Sequence, residues 1–164
     1  MRKIVPILLL LAALAACTSI DCPVQNLVYT NVELKKGMGG DDTLRVDTLW
    51  MWTERKDGTN DTVVNGLCDD DATGFSLPIS YTQPEDVFYT ELRDTSDNVW
   101  RDTVRIKKEN IPHFESVDCQ ASYFHKIESV TTTHHGIDSM TIEHSYVDYD
   151  ITNTHYYLYL KARR

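Results

Sequence analysis

Alternation of apolar and polar residues with a period of two runs through most of the chain. From Leu44 the even positions read Leu44, Val46, Thr48, Trp50 and Trp52; the odd ones read Arg45, Asp47, Leu49, Met51 and Thr53. Val24, Val28, Val32 and Leu34 share one face of an earlier segment, opposite Gln25, Asn31, Glu33 and Lys35. Phe75, Leu77 and Ile79 repeat the pattern, as do Trp100, Val104 and Ile106. Near the end, Tyr156, Leu158, Leu160 and Ala162 alternate with His155, Tyr157, Tyr159 and Lys161. A strand turns successive side chains to opposite faces, so each segment has one dry and one wet side. On this phase Trp50 and Trp52 join Leu44 on the buried face, whereas Tyr157 and Tyr159 point outward.

Breakers separate the runs at intervals of about ten residues. They are Gly37 to Asp42, Lys56 to Asn60, Gly66 to Gly74, Gln83 to Asp86, Asp94 to Asn98 and Asn110-Ile111-Pro112. Glycine and asparagine accept positive φ and proline fixes a turn position, so each has a mechanism. No stretch after Cys17 sustains a helical period. Nine or ten short strands predict an all-β fold, an antiparallel β-sandwich of immunoglobulin-like type, with a β-barrel as the alternative. Asp-Thr-Leu and Asp-Thr-Val recur at Asp42, Asp47, Asp61 and Asp102, spaced too irregularly for a structural repeat and read as strand-entry chemistry.

The N-terminus departs from this pattern. Arg2 and Lys3 precede an uncharged run from Ile4 to Ala16, and Leu14-Ala15-Ala16-Cys17 closes it. The run is shorter than the roughly 20 residues that span a bilayer, but it suits a secretory h-region ending at small residues. A cysteine after Leu-Ala-Ala resembles the lipobox of bacterial lipoproteins, which implies that Cys17 is diacylated and becomes the new N-terminus. Residues 1–16 are then a signal peptide, 17–21 a lipidated tether and 22–164 a single domain. Several acyl chains on one cysteine anchor firmly where one is marginal.

The formal net charge is −9. Losing Arg2 and Lys3 with the leader takes it to about −11, which leaves no basic stripe for nucleic acid. It also argues against binding an anionic membrane through protein charge, so attachment falls to the lipid. Beyond Cys17 the chain holds Cys22, Cys68 and Cys119. Export to an oxidising compartment predicts one disulfide and one leftover thiol. Three pairings are open. Cys22–Cys119 is favoured because Cys22 opens the folded part before Pro23 and Cys119 heads another strand-like stretch. Cys68 sits among Asp69, Asp70 and Asp71 and reads as an incidental thiol. No Cys-x-x-Cys pair is present.

Residues that carry chemistry are present but not in a recognisable arrangement. His134 and His135 are adjacent, so on a strand they face opposite ways. His134 or His135 with Asp138 and His144 across a hairpin is the candidate cluster, but its spacing fits no zinc or iron pattern. All six histidines are read as solvated surface groups. Gly-x-Ser-x-Gly is absent, and Asp69–Asp71 and Gly39–Asp42 lack the ligand spacing of a calcium loop. Paired carboxylates for glycoside hydrolysis depend on a distance the sequence does not give, so a hydrolase is the weakest of the function classes. Tyr157 and Tyr159 beside Lys161 are the candidate binding surface, for an interface or a glycan. Trp50 and Trp52 suit sugar stacking by type, but their phase assigns them to the core.

The lipobox, Cys22-Pro23, Ser76-Leu77-Pro78-Ile79 and Asp118-Cys119 together resemble a family of uncharacterised Bacteroidota cell-envelope lipoproteins, catalogued only as a domain of unknown function. The late cysteine of that family is often followed by glycine, where this chain has Gln120. The resemblance implies an envelope location, a β fold and roles for Cys17, Cys22 and Cys119, but no activity and no cofactor. Surface display in the group goes with acids directly after the lipidated cysteine. Thr18-Ser19-Ile20-Asp21 offers one, which favours the periplasmic face of the outer membrane. The expected function is a non-catalytic, lipid-anchored module contacting another envelope protein, such as an outer-membrane barrel. A glycan- or lipid-binding module is the alternative.

Overall fold

The computed structural model describes Cys22 and residues 27–44, 47–68 and 71–161. Cys17 and the expected signal peptide and tether lie outside these residues. Among the described residues there are ten strands and no helix. They are β1 (Tyr29–Lys35), β2 (Thr48–Glu54), β3 (Asn60–Leu67), β4 (Gly74–Pro78), β5 (Glu85–Arg93), β6 (Val99–His113), β7 (Ser122–Thr132), β8 (Ile137–Ile142), β9 (Tyr146–Val147) and β10 (Tyr156–Leu160).

The strands form two sheets, one of order β4-β1-β10-β8 and one of order β3-β2-β5-β6-β7-β9. One hydrophobic cluster joins their inner faces: Val32, Leu34 and Leu158 from the first meet Met51, Phe88 and Val104 from the second. This is a β-sandwich, antiparallel except where β1 runs beside β10 in the same direction, with Val32 opposite Tyr156. Parallel neighbours need a long crossover, and here nearly the whole domain intervenes between the first strand and the last.

Three local readings of the sequence are corrected by this arrangement. The first concerns β2, where Leu49 and Met51 are buried and Trp50 and Trp52 are half-buried on the outer face. Leu44 is buried as expected, but its carbonyl accepts the Asp47 N–H at 3.0 Å. That turn breaks the alternation, so the phase of Leu44 does not carry into the strand.

The second is the turn expected at Asn110-Ile111-Pro112. Instead β6 continues to His113, with Asn110 opposite His125 and Pro112 opposite Tyr123. Its pairing with β5 ends at Lys107, opposite Glu85. Beyond that point β6 has a ladder partner on one side only, where a proline lacking its N–H is tolerated.

The third is Asp102, which lies inside β6 rather than at a strand entry and is buried. Its side chain shares the inward phase of Trp100 and Val104, and the loop between β7 and β8 closes over it. The Oδ1 atom accepts Thr133 Oγ1–H at 2.9 Å and the His135 N–H at 2.6 Å. Oδ2 accepts the N–H groups of Gly136 at 2.7 Å and Ile137 at 2.9 Å.

Candidate functional site

The outer face of the six-stranded sheet is shaped by a bulge at its edge. Leu49 pairs with Leu67 and Met51 with Val64, so β3 places two residues, Asn65 and Gly66, opposite Trp50 alone. Gly66 takes φ 64°, and a Cβ there would stand 3.2 Å from Trp50 Nε1. The left-handed backbone and the close indole both call for glycine at this point.

The bulge sets the Gly66 backbone against the Trp50 indole, beside the edge strand. The Arg93 guanidinium sits 5.5 Å from the ring centroid, within cation–π range. Arg93 is held by Glu91 at 2.9 Å, and Glu91 also binds Arg101 at 2.8 Å. The hydrogen bond from Arg93 holds the Glu91 carboxyl below its ordinary range; partial burial opposes this and Arg101 adds to it. One strand position along, Trp52 faces Tyr89, with centroids 6.1 Å apart and planes at 27°. Trp50 and Trp52, with Asn60, Thr62 and Asn65 from β3 and the Glu91–Arg93 pair, line a groove of about 440 Å³; Tyr89 lies beyond it. The side chains of Asn60, Thr62 and Asn65 make no hydrogen bond among the described residues.

A second, larger groove of about 510 Å³ runs between the β2–β3 turn and the start of β5. Two ion pairs lie along it: Arg55 binds Asp61 at 2.9 Å and Arg105 binds Glu85 at 3.0 Å. Asp86 lies at its base and makes a buried ion pair with Lys108 at 2.7 Å. Burial pushes the Asp86 carboxyl up, opposed by Lys108.

Tyr157 and Tyr159 are on the other sheet. Both are half-buried on its outer face, opposite Glu33 and Lys35 of β1. The Lys35 ammonium lies 5.0 Å from the Tyr157 centroid and is engaged by Glu33 at 2.8 Å and Asp41 at 2.7 Å. This lattice partly covers Tyr157, and no groove among those described opens on either tyrosine.

The histidines are not uniformly solvated. His125 and His155 are each only 1% exposed. Burial, and then the nearby Lys108 charge, push the His125 imidazole down to about 4. Its Nδ1 meets Asn110 Oδ1 at 2.7 Å. His155 Nδ1 accepts the Asn31 N–H at 3.1 Å, which fits a neutral ring, and burial holds its pKa low. His134 and His135 serve the β7–β8 loop and diverge: the first bonds Asp138 O at 2.6 Å, the second lies 3.3 Å from Asp102 Oδ1. Among the described residues no group of three or more His, Cys, Asp or Glu is arranged to hold a metal ion. Cys22 and Cys119 form a disulfide with Cα atoms 5.5 Å apart, and Cys68 is an exposed free thiol.

Fold and surface together define a two-sheet β-sandwich whose six-stranded face carries an aromatic groove. The chain belongs to DUF6452, a family of unknown function, whose family model matches residues 43–160, a range that holds every residue of that groove. No curated protein and no solved structure matches it significantly.

Proposed function

We propose that the protein is a non-catalytic binding module of the cell envelope. A diacylglyceryl group on Cys17 fastens it to the outer membrane, on the periplasmic face, and it engages its ligand through the outer face of the six-stranded sheet. The observation that carries the binding role is the pair Trp50 and Trp52. Large aromatic side chains contribute most to a core when buried, and fully burying one is worth about 2–3 kcal/mol. Two indoles kept half-exposed at adjacent outward positions, with unused amide and hydroxyl groups beside them, favour recognition over packing. Lys108, His125 and Tyr156 lie inside the sandwich, an arrangement that serves structure better than turnover.

The anchor is supported by Leu14-Ala15-Ala16-Cys17 and by the short tether of four residues between Cys17 and Cys22. Replacing Cys17 by serine should move the protein from the membrane fraction to the soluble one. Persistence in the membrane would mean another anchor.

A second reading is contact with another envelope protein, such as an outer-membrane barrel. It is favoured by Phe114 and Val117, 66% and 98% exposed, in the loop that Cys119 ties to Cys22 near the anchor. Crosslinking in cells followed by pull-down tests it, and failure to recover any reproducible partner counts against it.

A further inference from the structure

We propose that the groove over Trp50 and Trp52 is a saccharide-binding site, and that its ligand is an extended, uncharged polysaccharide. This rests on reading that face as the binding surface and adds the class of ligand. A sugar ring offers two kinds of surface: C–H faces that stack on aromatic rings, and hydroxyls around its edge that need amide, hydroxyl or carboxylate partners. Both are met here. Trp50 and Trp52 are two residues apart on one strand, which separates them by about 7 Å. Tyr89 continues the aromatic surface onto the next strand, 6.1 Å from Trp52 and within 27° of its plane.

The rim supplies the hydrogen bonds. Asn60, Thr62 and Asn65 stand along edge strand β3 beside the rings, and their side chains have no partner among the described residues. Asparagine and threonine both donate and accept, as a hydroxyl ligand requires. At the far side Glu91 fixes Arg93 over Trp50, and both line the groove. Glu91 and Arg93 are the only charged residues of the lining, one of each sign, and Arg101 outside it is engaged by Glu91, so the groove presents no run of like charge for an ionic ligand. A proline-rich peptide also docks in aromatic-lined grooves; the Asn60, Thr62 and Asn65 side chains beside the rings favour a ligand rich in hydroxyls.

The test uses the full-length lipidated protein in detergent micelles. Its tryptophan fluorescence is titrated with xylan, α-mannan, β-glucan and dextran, and with chondroitin sulfate as the charged comparison. The expected result is a saturable change with one or more uncharged glycans and none with chondroitin sulfate. Trp50→Ala and Trp52→Ala should each weaken binding roughly tenfold, the scale of a lost aromatic contact. Thr62→Arg should abolish it by filling the groove without removing a ring, and Tyr157→Ala should leave it unchanged. Thermal melting of each variant verifies that it is folded. No response to any of the four uncharged glycans overturns the proposal, as does binding that survives Trp52→Ala and Thr62→Arg in folded protein.

A photo-cross-linking residue at Thr62, activated in cells, separates this failure from failure of the underlying reading. A protein adduct without a glycan signal keeps the face as a binding surface and overturns the saccharide. No adduct and no glycan signal overturns both.

Discussion

Replacing Asp102 by asparagine should cost the fold several kcal/mol while preserving the size and shape of the side chain. The wild-type carboxylate is buried in β6 and satisfies four donors, two on each oxygen: Thr133 and His135 on Oδ1, Gly136 and Ile137 on Oδ2. Asparagine retains one of those oxygens. Its amide nitrogen, itself a donor, meets the two N–H groups that the other oxygen accepted. Hydrogen bonds to a charged acceptor are worth about 1.5–3 kcal/mol each, so losing two costs about 3–6 kcal/mol. Relaxation of the loop toward water brings the expected loss to the lower end, about 3 kcal/mol. That is a large fraction of the roughly 5–15 kcal/mol that stabilises a typical domain.

The pH dependence gives an independent check. Burial alone raises the Asp102 carboxyl, but the N–H groups of His135, Ile137 and Gly136 and the Thr133 hydroxyl more than reverse it, leaving the folded pKa below 3.8. A carboxyl depressed in the folded state contributes its full stability above the unfolded value. It loses that contribution as pH falls through the folded value. Urea unfolding followed by tryptophan fluorescence should therefore show a wild-type-to-variant gap that is widest at neutral pH and closes below 3.8. Hydrogen exchange should locate the loss at the Gly136 and Ile137 amides. A gap under about 1 kcal/mol at pH 7, or one that stays constant on acidification, would refute the reasoning.

Two further perturbations probe the same core. His125, near 4 when folded against 6.5 as a free imidazole, is neutral where the unfolded chain takes up a proton. Stability should thus decline as pH falls from 6.5 to 4, by about 3 kcal/mol. His125→Gln should flatten that decline in urea titrations, leaving the smaller share of His155, which has the same sign; an unaltered slope would sink the assignment. Gly136→Ala would place a Cβ 2.7 Å from Trp100 Cβ. Overpacking of this kind costs about 1–3 kcal/mol, so a melting temperature lowered by several degrees is expected, and an unchanged one would contradict the close packing.

The sandwich was legible in the sequence because its signals are local. Alternation at Phe75-Leu77-Ile79 and Tyr156-Leu158 reports directly on which side chains share a face, and glycine and aspartate clusters mark where strands stop. The site was harder to read because its phase was carried across a break. Leu44 is buried, but the turn closed by the Asp47 N–H resets the alternation, so Trp50 and Trp52 emerge on the opposite side from the one their spacing to Leu44 implies. Leu49 and Met51, read alone, give the correct phase.

The polar interior was hidden for a related reason. Asp102, Lys108 and His125 are charged or titratable types that composition assigns to the surface. They are buried because each has a partner distant in sequence: the β7–β8 loop for Asp102, Asp86 for Lys108 and Asn110 for His125. A period-two pattern shows which side of a strand a residue occupies. Whether an inward polar residue is an error or a strut depends on a contact that only the closed sandwich creates. The same logic separates the two aromatic pairs. Tyr157 and Tyr159 are outward by phase, as read, but β1 lays Glu33 and Lys35 beside them. Trp50 borders the edge strand, where the bulge residue Gly66 sets no side chain against the ring. The binding surface is thus decided by what lies on the neighbouring strand, a property of register and not of the strand's own sequence.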